Sequence, residues 1–145
     1  MDYKENIGST FIDERGKLSF CNDFDLSNYK RFYDIQNFNI NFIRAWHGHK
    51  HEKKAVFVRK GNILLGLVKI DDFQNPSKKL NVNKVFLSAE KPMIVEIPDG
   101  YANGFMNLSS DTIVTFYSNK SLSESANDDY RFPYDYWNIW NIEYR

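Results

Sequence analysis

Along most of this chain, apolar and polar residues alternate in short runs, and each run ends at a turn-forming cluster. Residues 54–58 and 62–70 flank Arg59-Lys60-Gly61, which reads as a hairpin with Gly61 supplying the turn. Residues 83–88, 93–97 and 112–118 read as further strands, with a polar loop over 71–77 and a turn at Pro98-Asp99-Gly100. No stretch repeats apolar residues at i, i+3, i+4 and i+7 over three turns, so no long amphipathic helix is expected. Many short strands with regular turns predict a sandwich or a closed barrel, because closure removes exposed edges. Residues 118–129 are polar and predict a surface loop or short helical turn. The Tyr- and Trp-rich tail over 131–144 is too apolar to hang free, so it is expected to pack on the barrel or across a dimer interface. Trp137 and Trp140 read as its core or interface anchors.

Composition narrows this picture. With 145 residues the chain has the length of one domain, read here as 1–145. Aromatic residues make up 17%, which favours pleated, half-buried surfaces over helical bundles. The formal net charge is +0, which argues against a nucleic-acid partner; a few local cations still suffice for a small phosphorylated ligand. Cys21 is the only cysteine, so no internal disulfide is expected. No apolar run approaches the roughly 20 residues that span a bilayer, and Met1-Asp2-Tyr3-Lys4-Glu5-Asn6 lacks the apolar core of a signal peptide. A cytoplasmic protein without a membrane partner is the expectation.

Candidate chemistry concentrates in Arg44-Ala45-Trp46-His47-Gly48-His49-Lys50. His47, His49 and His51 are all the histidines of the chain, and strand periodicity would aim all three to one side. Three readings stand open at this point. The side chains could sit on the solvent face of an edge strand. They could hold a metal with Glu52 and a distant ligand, although the facing turn offers Asn103, a poor transition-metal ligand. Or they could perform acid–base chemistry, for which an imidazole with a pKa near 6.5 is suited.

Four ordered segments bring a resemblance. Asp13-Glu14-Arg15-Gly16, Ile43-Arg44-Ala45-Trp46-His47, Val85-Phe86-Leu87-Ser88-Ala89-Glu90-Lys91 and Ile97-Pro98-Asp99-Gly100-Tyr101-Ala102-Asn103-Gly104-Phe105 are similar to segments of the dTDP-4-dehydrorhamnose 3,5-epimerase family of cupins. Leu108-Ser109 and Phe116-Tyr117 continue it. The resemblance implies an all-β cupin, a double-stranded β-helix or jelly-roll barrel, working as a homodimer without metal or cofactor. It implies epimerisation at C3, with C5 as a further centre, of a nucleotide-linked 4-keto-6-deoxy sugar bound for polysaccharide or another glycosylated product. His47 then matches the base, Tyr117 the acid on the opposite face, Arg15 and Arg44 the arginines that hold the nucleotide-sugar, and Lys54 a lysine beside the developing enolate. A C–H next to a ketone is weakly acidic, so these residue types suit the task.

The departures carry information too. The family's histidine in the facing turn is Asn103 here, a candidate substrate contact, and a glutamate of the family is replaced by Phe20. The C-terminal aspartate that orients the family's catalytic histidine has no counterpart, leaving Asp135 or His49 as substitutes. The histidine segment also resembles the Arg-Gly-x-His-Ala-His-Lys of dTDP-sugar 3,4-ketoisomerases, and Lys30-Arg31-Phe32-Tyr33 resembles a strand of theirs with a functional tyrosine. On that resemblance His49 is the base, assisted by Tyr33 and His47. A non-catalytic sugar-binding cupin is the third alternative.

Overall fold

A computed structural model describes residues 2–145. Its strands, in chain order, are β1 (Lys4–Ile7), β2 (Ser9–Asp13), β3 (Gly16–Phe20), β4 (Arg31–Asn37), β5 (Ile43–His49), β6 (Lys54–Lys60), β7 (Asn62–Lys69), β8 (Val82–Ser88), β9 (Met93–Ile97), β10 (Tyr101–Asn107), β11 (Thr112–Ser118) and β12 (Tyr130–Arg131). They form two five-stranded antiparallel sheets, β1-β9-β6-β11-β4 and β12-β5-β10-β7-β8, while β2 and β3 pair, among the described residues, only with each other. This is the all-β jelly-roll barrel that the alternation and the resemblance predict. The hairpin between β6 and β7 turns at Gly61, whose φ of 82° is open to glycine at little cost.

Alternation along each strand builds two apolar layers. Ile63, Leu65 and Leu67 of β7 meet Val56 and Val58 of β6, Val114 and Phe116 of β11, and Phe105 of β10 between the sheets. The opposite face of β5, β7 and β10 is covered by the C-terminal tail. There Trp46, Val68, Ala102, Met106, Trp137 and Trp140 form a second buried cluster. Each indole N–H is satisfied: Trp46 and Trp140 both donate to the Tyr134 carbonyl, at 3.1 and 2.8 Å, and Trp137 donates to Ser77 at 3.0 Å. The tail therefore packs back on the barrel of its own chain. Among the described residues no helix is long and apolar enough to cross a membrane.

The polar segment over 118–129 contains one helical turn, α1 (Leu122–Ser125), with a capping box between Ser121 and Glu124. It is not wholly a surface loop, because Asp128 within it is buried.

Candidate active site

A cavity of about 570 Å³ opens between the two sheets. From β4 it receives Arg31, Tyr33 and Ile35, a period-two set on one strand face. From β5 it receives Arg44, His47 and His49; from β6 and the turn before it, Lys54 and Glu52. Asn103 and Phe105 of β10, Phe116 of β11, residues of α1, Asp129 and Arg131 complete the wall.

Arg44 and His47 are three apart yet face one cavity, and the reason is a bulge. Opposite β10 the register runs from Asn103↔His47 to Phe105↔Arg44, so β5 holds one more residue than its partner. Gly104 allows this close approach: a Cβ there would stand 2.5 Å from the Ala45 Cβ and 3.0 Å from the Ala45 Cα.

The three histidines do not act as one row. His47 and His49 line the cavity, whereas His51 lies beyond the end of β5 and is exposed. The expected common face fails because the strand stops at His49 and the chain bends. His49 Nδ1 lies 2.7 Å from the Asp128 carbonyl oxygen. A carbonyl only accepts, so Nδ1 carries the proton and Nε2 presents a lone pair. That Nε2 is buried and has no hydrogen-bond partner among the described residues. Burial lowers the His49 pKa, Lys54 lowers it further, and the contacts with Asp128 and Glu52 oppose the fall. The His47 pKa is pushed down to about 4, chiefly by burial and then by Arg131 and Lys54. Both rings are neutral, and able to accept a proton, at neutral pH.

Across the cavity, Lys54 Nζ donates to Tyr33 Oη at 2.7 Å. The Tyr33 ring stacks on Phe116 with centroids 5.5 Å apart, and the Lys54 ammonium sits over both rings. Arg44 Nε donates to Asn37 Oδ1 at 2.8 Å, which fixes its guanidinium at the rim. Asn103 Nδ2 reaches toward the His47 carbonyl oxygen at 3.5 Å. Among the described residues, no three His, Cys, Asp or Glu side chains stand together as metal ligands.

Of the residues singled out in the sequence, the cavity brings together His47, His49, Tyr33, Arg44, Lys54 and Asn103. It does not bring Tyr117 or Arg15. Tyr117 follows Phe116 on β11, so strand alternation turns it to the outer face, where it packs against Phe24, Tyr29 and Phe32. Arg15 sits at the tip of the β2–β3 hairpin, 80% exposed, in a 2.6 Å ion pair with Asp13. Asp135 is also exposed, on the tail, and does not line the cavity. Sequence reasoning passed over Arg31, Glu52 as an acid–base partner, Asp128, Asp129 and Arg131. Alternation from Tyr33 back to Arg31 was a usable signal for the first; nothing local marked the others.

The model of the family described as dTDP-4-dehydrorhamnose 3,5-epimerase matches residues 9–138. No curated protein matches the chain. Among solved structures, the dTDP-4-dehydrorhamnose 3,5-epimerase from Bacillus anthracis with TDP and PPi bound is 21% identical, with 88% of this chain and 77% of that chain covered and a TM-score of 0.72. A 3,4-ketoisomerase from Helicobacter canadensis is 19% identical over 94% of this chain and 95% of that one, with a TM-score of 0.69. A 3'-monoepimerase from Streptomyces bikiniensis, in complex with dTDP-quinovose, is 14% identical over 92% and 71%, with a TM-score of 0.72. At these identities the likeness establishes a shared fold.

Proposed function

Because the chain belongs to the dTDP-4-dehydrorhamnose 3,5-epimerase family, and is an isomerase of the dTDP-sugar epimerase or 3,4-ketoisomerase kind, we propose that it moves the carbonyl of a nucleotide-linked 4-keto-6-deoxy sugar from C4 to C3. The observation that carries this reading is the identity of the side chains in the cavity. His49, His47 and Tyr33 share it, whereas Tyr117 and Arg15, on which the 3,5-epimerase reading leans, lie elsewhere.

In this reading His49 Nε2 takes the C3 proton, and the C–H electron pair becomes the C3–C4 double bond of an enediolate. Lys54 offsets the negative charge that develops on the C4 oxygen. Tyr33, hydrogen-bonded to Lys54, relays the proton from the C3 hydroxyl to the C4 oxygen. His49 returns its proton to C4, which leaves the ketone at C3 and a neutral imidazole. Arg31, Arg44 and Arg131 give the rim the positive charge that a nucleotide diphosphate requires. Asn103 serves as a polar contact to the sugar.

A second reading is epimerisation at C3, with C5 as a further centre. It is favoured by the placement of the histidines on β5 and of Tyr33 on β4, strands of opposite sheets facing one cavity. A base on one wall and an acid on the other is what inversion needs. Incubation with dTDP-4-keto-6-deoxyglucose in deuterated buffer separates the two. A 3-keto product supports the ketoisomerase, and an inverted, labelled C3 with the ketone still at C4 supports the epimerase. No exchange and no 3-keto product from any nucleotide keto-sugar excludes both.

The working form in this proposal is one catalytic unit per chain, assembled as a homodimer in the cytoplasm and supplying activated sugar for polysaccharide synthesis. The dimer has support in the β2–β3 hairpin, which pairs with neither large sheet and leaves Ile7, Phe11, Ile12 and Leu18 exposed near it.

A further inference from the structure

The turn between β5 and β6 carries a buried carboxylate that the reaction above does not use. The Glu52 side chain is 1% exposed, and a charge that deep persists only with partners. Those partners come from both sheets. Oε2 accepts from Ser118 Oγ of β11 at 2.6 Å and lies 3.5 Å from Arg31 Nη2 and 3.9 Å from Lys54 Nζ. Oε1 stands 3.5 Å from His49 Nδ1.

The turn itself is clamped by a second buried acid. The Asp128 carboxylate accepts from the backbone N–H groups of Lys50, His51 and Glu52 at 2.7, 2.9 and 2.9 Å. The carbonyl of the same residue accepts the His49 Nδ1–H. One residue therefore fixes both the backbone that carries Glu52 and the tautomer of the ring beside it. The arrangement leaves Nε2 buried and, among the described residues, unpartnered, on a ring that lines the cavity.

We propose that Glu52 is a positioning residue for the reaction, acting through His49: its carboxylate is the counter-charge that makes the ring a base at Nε2 and stabilises the imidazolium formed when the C3 proton arrives. The proposal rests on His49 being the base. When Nε2 takes the proton, the C–H electron pair stays with the sugar as the enediolate. The ring then carries protons on both nitrogens, with Nδ1–H still directed at the Asp128 oxygen and the Glu52 carboxylate beside it. The charge balance around the ring shows why a carboxylate is needed. Lys54 of β6 acts against the imidazolium, and Arg31, Arg131 and, when protonated, His47 add positive charge along the same cavity. Glu52 and Asp128 act for it, and Asp129 is drawn off by a 3.1 Å pair with Arg131.

Two variants of the full chain test this: E52Q, which keeps shape and the Ser118 acceptor but removes the charge, and E52D, which keeps the charge. The rate of deuterium exchange at C3 of dTDP-4-keto-6-deoxyglucose is followed against pH. E52Q is expected to lower the plateau about 10- to 100-fold and to move the acid limb to lower pH, because the imidazolium loses its counter-charge. E52D is expected to keep the limb where the wild type has it. A plateau that falls with the limb unmoved overturns the proposal, since loss of packing alone does that. Nitrogen-15 NMR of His49 in the protein without substrate gives a readout independent of turnover. The Nδ1–H tautomer is expected, with a titration midpoint that falls in E52Q; a midpoint equal to the wild type's overturns the proposal. A fall in E52Q with no exchange by the wild type on any keto-sugar overturns the reading of the reaction and leaves the Glu52–His49 pairing standing.

Discussion

The Lys54 ammonium donates a 2.7 Å hydrogen bond to the Tyr33 hydroxyl, and both groups face the wall that carries His47 and His49. Lys54 is only 9% exposed, so its charge is less screened by solvent than a surface ammonium would be. A phenol held this way can hand a proton to an oxygen and regain one from its neighbour. Y33F should therefore leave the first step, loss of the C3 hydrogen, faster than product formation. The expected result is deuterium exchange at C3 reduced less than tenfold, with 3-keto product reduced about 100-fold or more. Proton NMR of one reaction mixture measures both; equal loss in the two counts against a relay by Tyr33.

Tyr117 provides the contrast. Its ring packs on Phe24, Tyr29 and Phe32 on the far side of β11, with centroid distances of 5.6, 6.2 and 6.3 Å. Y117F keeps the ring and should change kcat by less than about twofold. A loss comparable to that of Y33F would place the phenol in the reaction after all and restore the epimerase's second-face acid.

These two tyrosines mark how far the sequence was readable. Alternation on β6, β7 and β11, with Gly61 and Gly100 at positive φ, announced the barrel. The two family resemblances singled out Tyr33 and Lys54, and both line the cavity. Tyr117 went astray because the motif Phe116-Tyr117 holds two adjacent aromatics, and adjacent strand residues face opposite ways. His47 and Arg44 share a face only through a bulge, which no local pattern announces. Asp128 lies 79 residues from the ring it orients, in a polar segment that looks like ordinary surface. Contacts of that span come from tertiary closure, not from spacing.

The lowered histidine pKa values link the site to acid stability. His47 has an ordinary value of 6.5 in the unfolded chain and about 4 when folded, and His49 is displaced in the same direction. Between these values the unfolded state binds protons that the folded state refuses, so stability falls as pH drops from about 6.5 toward 4 and is fully present above. Thermal melts across that window should show Tm falling with pH, and H47N should flatten the slope. An unchanged slope would mean that the ring titrates normally in the fold.

Gly104 should be intolerant of even one methyl group. The added Cβ meets Ala45 at Cβ and backbone, and the Arg44 carbonyl oxygen at 3.2 Å, so β5 must shift at the bulge. G104A is expected to cost about 1–3 kcal/mol in denaturant unfolding. It should also raise KM for the nucleotide-sugar, because Arg44 and His47 are aimed by that bulge. A stable variant with unaltered KM would show that the bulge does not set the site.

The tail beyond Arg131 should matter to the site although none of its side chains lines the cavity. Trp46 sits next to His47 on β5 and points the other way, into a T-shaped contact with Trp137 at 5.5 Å and a tilted one with Trp140 at 5.2 Å. The Phe132 backbone closes on Trp46 through hydrogen bonds of 3.0 and 3.1 Å, which ties the tail to the strand that carries both histidines. W137A removes a side chain that is 3% exposed, and should cost about 3–5 kcal/mol. For a chain of this size that is a Tm lower by roughly 10 °C or more. Because β5 then loses its backing, kcat should fall at temperatures where the variant is still folded, while the solvent-exposed Tyr144 can be changed without effect on either. Calorimetry and initial rates on the same samples decide it: a large Tm loss with unchanged kcat would mean that the tail stabilises the barrel without holding the histidines in place.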